Sequence, residues 1–240
     1  MIEVEALSRS YGDFAAVRNL TFGVQPGEVL GLVGPNGAGK TTTLRCLVGI
    51  IRPTSGTVRI AGHDLLQDPL QAKAALAFVP DEPHLFPHLT LSEHLHFIGR
   101  IYGVADANER AAALIEELEL ADRRDALPDE LSRGMKQKLA IACGLLHEPR
   151  ALLLDEPLTG LDPGAIRRMK RTIRERAAQG AAVILSSHLL GLVEELCSRI
   201  LVIQSGAAVA MGTLQDIIAE RPGLAGRGIE DVFLALTERP

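Results

Sequence analysis

Aromatic residues are scarce in this 240-residue sequence: they make up 3% of it, and tryptophan is absent. Proteins that bind single-stranded nucleic acid stack bases on aromatic side chains, so this composition argues against that class. The formal net charge is −5, from 25 Lys and Arg against 30 Asp and Glu. Since nucleic-acid-binding surfaces are basic, we expect no nucleic-acid partner.

Cysteine is also scarce. The three residues, Cys46, Cys143 and Cys197, are scattered in apolar surroundings and odd in number. They are predicted to be small core residues in a reducing compartment, and the pattern argues against a disulfide framework or a zinc site.

Long apolar runs are missing too. Two stretches without formal charge, residues 178–193 and 200–215, are interrupted by polar residues and glycine. A membrane-spanning helix needs about 20 predominantly apolar residues. The first five residues lack the basic start and apolar run of a secretory leader. If the protein works at a membrane, we expect another chain to cross it.

The sequence does contain one complete glycine-rich phosphate-loop pattern, G-x-x-x-x-G-K-[ST], at residues 34–41. Residues 29–33 before it predict a buried strand, and residues 42–50 after it predict a helix. In that context the loop cradles phosphates, Lys40 reaches the β- and γ-phosphates, and the Thr41 hydroxyl binds Mg²⁺. The predicted nucleotide-binding residues here are Gly34, Pro35, Asn36, Gly37, Ala38, Gly39, Lys40, Thr41 and Thr42.

Two carboxylates, Asp155 and Glu156, follow a second apolar strand at residues 152–154. Ligands of open α/β sheets bind at the carboxyl ends of strands. We predict that Asp155 holds Mg²⁺ and that Glu156 polarises the water that attacks the γ-phosphate. The pair alone also fits ordinary helix caps, but the upstream phosphate loop favours catalysis.

Two further residues have a functional and a structural interpretation. Ser132 is predicted to cap a helix, whose free N–H groups form a second phosphate site or an ordinary N-terminus. His188 follows another predicted strand, where it hydrogen-bonds the γ-phosphate or the attacking water, or serves the structure alone. Neither residue decides the function without the phosphate loop.

The predicted elements form a single domain in several parts. These are a β arm (1–28), an α/β core (29–83 and 149–220), a helical insert (84–148) and a tail (221–240). Within the insert, Asp106 and Ser132 are predicted helix caps. The tail either regulates the protein or covers its core.

These motifs, in this order and with a helical insert between the first and the second, resemble the ATP-binding-cassette (ABC) ATPases, the nucleotide-binding subunits of ABC transporters. The resemblance covers essentially the whole chain. It implies an α/β P-loop NTPase fold with an ABC-type antiparallel β arm and an inserted α-helical subdomain. The roles it implies are adenine stacking by Tyr11, Walker A at residues 34–41, the signature motif with Ser132 and Gly134, Walker B at Asp155, the catalytic glutamate at Glu156, the D-loop with Asp162 and the switch histidine at His188.

The resemblance also implies a function. Two such domains face head to tail, as a homodimer or with a related subunit, and hydrolyse ATP with Mg²⁺. Hydrolysis drives a separate transmembrane permease, so the subunit is expected on the cytoplasmic face of the membrane. The alternatives are a soluble ABC ATPase that acts on nucleic acid or ribosomes, and a module that binds nucleotide without hydrolysis. The sequence does not identify the cargo.

Two positions depart from the family pattern. Asp81 stands where a glutamine is usual, so a carboxylate replaces an amide as the expected Mg²⁺ ligand. In the signature motif, Arg133 and Met135 replace a glycine and a glutamine, while Ser132 and Gly134 remain. Both variants resemble the ABC-2 exporter branch, which includes drug-efflux ATPases.

One basic segment, residues 167–176, carries six Arg and Lys residues. Such a face is compatible with nucleic acid or anionic lipid. A solvated helix face is the favoured interpretation, because runs of charge usually form one.

Overall fold

The computed structural model describes residues 1–224 and 226–237 and contains two β-sheets with helices around them. The elements in chain order are β1 (Ile2–Tyr11), β2 (Phe14–Val24), β3 (Val29–Val33), α1 (Lys40–Leu47), β4 (Ser55–Ile60), β5 (His63–Asp64), α2 (Pro69–Ala74), β6 (Leu76–Val79), α3 (Leu91–Ile101), α4 (Ala107–Glu117), α5 (Arg133–Leu145), β7 (Ala151–Asp155), α6 (Pro163–Ala178), β8 (Ala182–Ser186), α7 (Leu190–Leu196), β9 (Arg199–Gln204), β10 (Ala207–Gly212), α8 (Leu214–Ala219) and α9 (Ile229–Thr237). Short 3₁₀ turns link some of them.

The larger sheet has six strands in the order β10-β9-β3-β8-β7-β6. All neighbouring strands from β9 to β6 are parallel, and β10 pairs antiparallel with β9. Every residue of β3, β7 and β8 is buried. Helices cover both faces of such strands, which explains their continuous apolar sequences. The α/β P-loop architecture is therefore the one predicted.

The smaller sheet is antiparallel, in the order β2-β1-β4-β5. Its extent corrects the predicted boundaries, because β4 and β5 fall in residues 29–83, which were assigned to the α/β core. The pairs Ile2↔Ile60 and Val4↔Val58 place four buried apolar side chains on one face. This packing joins a later segment to the β arm, so the arm is not confined to residues 1–28.

The helical insert contains α3, α4 and α5. Ser132 caps α5 as predicted, since the Met135 N–H donates to Ser132 Oγ at 3.3 Å. Asp106 precedes α4 but makes no side-chain capping bond. Asp106 therefore occupies the predicted N-cap position, but its carboxylate pairs with Arg110, one turn along the helix, at 2.7 Å.

The tail covers the core over the part that the structure describes. Leu224, Ile229 and Val232 are buried in an apolar cluster with Val193 and Val202. Covering the core is therefore the role that the packing supports. Residue 225 and residues 238–240 of the predicted tail lie outside the described structure.

In the described ranges, none of the helices has the length and apolar character needed to cross a membrane.

Ion pairs occupy much of the basic face of α6. Arg168 and Arg176 pair with Glu119 and Glu117 at the end of α4. Lys170 and Arg174 both pair with Glu195 of α7. The basic face is therefore only partly a solvated face, because four of its cations pair with three glutamates, one of which two cations share.

Leu153→Ala tests the core packing. The Leu153 side chain is fully buried in β7, so its truncation should lower the free energy of unfolding by about 2–5 kcal/mol. Urea unfolding followed by circular dichroism measures the loss. Leu70→Ala is the matched control, because Leu70 is 82% exposed and its truncation should change stability by less than about 0.5 kcal/mol. Equal losses in the two variants would contradict this core.

Candidate functional site

A cavity of about 690 Å³ lies at the carboxyl edge of the large sheet. It is lined by Phe14, Ala16, Asn36, Gly37, Ala38, Gly39, Lys40, Thr41, Thr42, Asp81, Asp155, Glu156, Thr159 and His188. Most of the predicted nucleotide-binding and catalytic residues therefore meet in one place. A larger cavity, of about 790 Å³, lies elsewhere, beside Arg150 and Arg176, and none of the predicted site residues lines it.

Glycine 39 fixes the shape of the phosphate loop. Its φ angle is +106°, and a Cβ there would lie 2.4 Å from the Ala16 carbonyl oxygen. Gly206 lies on this side of the loop too, and its N–H donates to the Ala38 carbonyl at 2.9 Å. A side chain at position 39 would push the loop away from the arm, so glycine is required.

Lys40 is the first residue of α1, and its amine lies within the loop. Nζ donates to the carbonyls of Gly34 at 2.6 Å and Pro35 at 3.2 Å. Burial lowers the pKa of Lys40, and the neighbouring carboxylates of Glu156 and Asp155 oppose that shift. The amine is thus held among acceptors that a phosphate can replace.

Asp155 ends β7 and is held by the neighbouring strand. Asp155 is only 4% exposed, and Ser186 Oγ donates to Asp155 Oδ1 at 2.8 Å. Asp155 and Ser186 are direct register partners at the ends of β7 and β8. The bond fixes the carboxylate with one oxygen still available.

Glu156 and His188 contact each other at the mouth of the cavity. His188 Nδ1 donates to Glu156 Oε2 at 2.9 Å. The Glu156 backbone is in the left-handed region, with φ +49°, a strained conformation that proteins retain where a side chain must be aimed. The Glu156 N–H donates to the Ser186 carbonyl at 3.0 Å, which anchors that turn.

The oxygen donors in the cavity suit Mg²⁺. Thr41 contributes a hydroxyl, and Asp155 and Asp81 contribute carboxylates. Over the described residues, no group of three or more His, Cys, Asp or Glu is arranged to hold a metal by itself. Mg²⁺ commonly binds through one or two carboxylates, waters and substrate phosphates. The residues present fit a cation that enters with a nucleotide.

Gly34 and Pro35, the first two residues of the predicted phosphate loop, do not line the cavity. Ser132, Gly134 and Asp162 lie outside its lining as well. Ser132 and Asp162 cap α5 and α6, and the Ala165 N–H donates to Asp162 Oδ1 at 2.9 Å. That hydrogen bond lowers the pKa of Asp162. Within one chain these residues do not surround the phosphate loop.

Tyr11 also lies outside the lining, and its ring contacts the Arg9 guanidinium, 4.4 Å from the ring centroid. The aromatic side chain that lines the cavity is Phe14, the register partner of Tyr11 at the tip of the β1–β2 hairpin. Sequence reasoning did not select Phe14, although an aromatic residue opposite Tyr11 in the hairpin was a usable signal. It also missed Ser186, whose role depends on the adjacency of two strands.

The chain is similar to known proteins in family pattern, in sequence and in structure. The family model described as "ABC transporter" matches residues 17–159. The Nod factor export ATP-binding protein I of Paraburkholderia xenovorans (strain LB400) is 41% identical over 92% of this chain and 74% of that protein. The ABC-type transporter ATP-binding protein EcsA of Bacillus subtilis (strain 168) is 33% identical over 99% of this chain and 97% of its own length.

Solved structures give the same result. An ATP-binding subunit of an ABC transporter superposes with a TM-score of 0.94 at 36% identity, covering 99% of this chain and all of that one. The ATP-binding cassette MJ0796, solved as a dimer in a post-hydrolysis state with ADP and Pi, superposes with a TM-score of 0.81 at 23% identity, over 89% of this chain and 99% of that one. The second likeness supports the fold alone.

Gly39→Ala tests the phosphate loop. Gly180→Ala is the matched control, because Gly180 has a similar φ of +100° but nothing within 4 Å of a new Cβ. Both variants carry the same kind of backbone strain, and only Gly39→Ala displaces the loop. We expect Gly39→Ala to weaken ATP binding by more than about tenfold, a loss of roughly 1.4 kcal/mol or more, and Gly180→Ala to bind normally. Equilibrium dialysis measures both, and normal binding by Gly39→Ala would contradict the site.

Proposed function

The chain belongs to the ABC transporter family as an ATP-binding, ATP-hydrolysing subunit, and we propose that it drives export through a separate membrane permease. The observation that carries the proposal is the single cavity that unites Lys40, Asp155, Glu156 and His188. Export is inferred from relatives named for it, such as the Nod factor export protein.

Binding begins at the phosphate loop. The loop N–H groups and Lys40 hold the β- and γ-phosphates, with the Lys40 amine leaving the Gly34 and Pro35 carbonyls for the nucleotide. Thr41, Asp155 and Asp81 would hold Mg²⁺, which would neutralise phosphate charge when bound. The adenine stacks on the hairpin tip, where Tyr11 is the predicted partner and Phe14 faces the cavity.

Hydrolysis is assigned to Glu156 and His188. The Glu156 carboxylate orients and polarises the attacking water, and it accepts the proton that the water loses. His188 Nδ1 donates to Oε2 of this carboxylate and fixes its direction. Their direct contact disfavours a module that only binds nucleotide.

The site is completed by a second copy or a related subunit. Ser132, Gly134 and Asp162 do not line the cavity of their own chain. A head-to-tail arrangement would instead bring these residues to the nucleotide bound by the partner. In that arrangement the N-terminus of the partner's α5 helix closes on the γ-phosphate. Closure of the dimer moves the permease, and the subunit works on the cytoplasmic face of the membrane.

Glu156→Gln separates binding from chemistry. The amide keeps the size of the side chain but cannot accept the proton, so we expect ATP binding to persist and turnover to fall by about 10²–10⁴-fold. Phosphate release measures turnover, and gel filtration with ATP should detect an accumulated dimer. Glu175→Gln, on the exposed side of α6, is the control and should hydrolyse ATP normally. Undiminished turnover in Glu156→Gln would contradict the role of Glu156.

Affinity purification from detergent-solubilised membranes tests the transport proposal. Mass spectrometry is expected to find a multi-helix membrane protein in stoichiometric amount. Recovery of the chain only with ribosomal or DNA-associated proteins would contradict export while leaving the ATP site intact. The α6 face gives that alternative little support, since four of its six cations pair with glutamates outside α6.

A further inference from the structure

The two residues that depart from the family pattern contact each other. Arg133 Nη2 donates to Asp81 Oδ1 at 3.2 Å. Arg133 is the first residue of α5 in the helical insert, and Asp81 lies in the loop after β6 of the core. The pair therefore connects the signature helix to the edge of the sheet at which the nucleotide site lies.

Asp81 contacts the signature helix and also lines the nucleotide cavity. Besides contacting Arg133, it lines the phosphate cavity with Lys40, Thr41 and Asp155. The side chains of Arg133 and Asp81 are 57% and 45% exposed, and a single hydrogen bond joins them. Exposed ion pairs of this kind are weak, so another cation can replace the guanidinium at Asp81.

The turn after β7 supports the Arg133 side chain. Gly160, with φ +79°, leaves room for it: the atoms nearest to a Cβ built at Gly160 are Arg133 Cδ at 3.2 Å and Cγ and Nε at 3.5 Å. One helical turn along α5, Gln137 Nε2 donates to the Pro80 carbonyl at 3.4 Å. Because this second bond also joins α5 to the loop, Asp81 can release Arg133 without detaching the helix.

The charged side chains of the cavity favour binding of a cation at Asp81. The cavity holds three carboxylates, Asp81, Asp155 and Glu156, and two basic side chains, Lys40 and His188. His188 contacts Glu156, and Arg133 contacts Asp81. A cation that takes Asp81 as a ligand therefore competes with the guanidinium of Arg133 for the charge of this carboxylate.

We propose that Arg133 is a positioning residue that holds Asp81 in the nucleotide-free chain, and that Asp81 exchanges Arg133 for Mg²⁺ when the nucleotide binds. The inference rests on the proposed function, because the cation enters with ATP. Exchange frees the Arg133 guanidinium beside Ser132, at the end of α5 that meets the second copy. Occupancy of the metal site is in this way communicated to the signature helix.

A double-mutant cycle tests the exchange by binding rather than by turnover. ATP binding to the full chain is measured by equilibrium dialysis over a range of free Mg²⁺ in wild type, Arg133→Gln, Asp81→Asn and the double variant. Arg133→Gln should lower the free Mg²⁺ at half-maximal binding by about two- to fivefold, because exposed ion pairs have that strength. In the Asp81→Asn background, the same substitution should produce no shift. Arg133→Lys, which retains the charge, should remain close to wild type.

Arg124→Gln is the matched control. It removes an exposed guanidinium that pairs with Glu116 at 2.8 Å, also in the helical insert, and it should leave the Mg²⁺ dependence unchanged. Binding of ATP in EDTA provides a second control, since Arg133→Gln acts through the metal ligand and should not improve metal-free binding.

An equal shift in both backgrounds, or no shift in the wild-type background, would overturn the exchange. If wild-type protein binds ATP in a Mg²⁺-dependent manner but the double-mutant cycle is additive, this inference alone is refuted. Absence of ATP binding at every Mg²⁺ concentration would refute the proposed function together with it.

Discussion

Burial of the central strands is the constraint on which the rest of the structure depends. Strands β3, β8 and β7 are neighbours, and every residue in them is buried. Polar side chains of these strands therefore lie at or after the last strand residue, and parallel strands end at the same edge of the sheet. The phosphate loop, Asp155 and the turn that leads to His188 all follow from this arrangement.

The edge is polar, but each polar group is held in place by its neighbours. Ser186 fixes Asp155, His188 contacts Glu156, and the loop carbonyls hold the Lys40 amine. Such preorganisation is what catalysis by charge stabilisation requires. The same packing leaves Ser132 and Asp162 on the outside of the cavity, which is the observation behind the proposal that a second chain completes the site.

The sequence predicted the fold and most of the cavity lining because those signals are local. A glycine pattern between a strand and a helix, or two carboxylates after an apolar run, can be recognised without knowing what lies beside it. The missed features depend on contacts between distant segments. Phe14 reaches the cavity through hairpin pairing, β4 joins the arm through Ile60 and Val58, and Asp81 and Arg133 meet although 52 residues separate them. Asp106 stands at the predicted start of α4, but its carboxylate pairs with Arg110 one turn away and makes no capping bond.

Complementation between two inactive variants tests the central claim that one chain binds the phosphates and a second chain completes the site. Lys40→Ala should be inactive for lack of phosphate binding, and Ser132→Glu should be inactive because it places a carboxylate against the partner's phosphate. Mixed dimers contain one site with both residues intact, so phosphate release should return to about a quarter of the wild-type rate after random mixing of equal amounts. Mixed dimers that form but show no activity would contradict the head-to-tail account, as would Ser132→Glu with full activity alone.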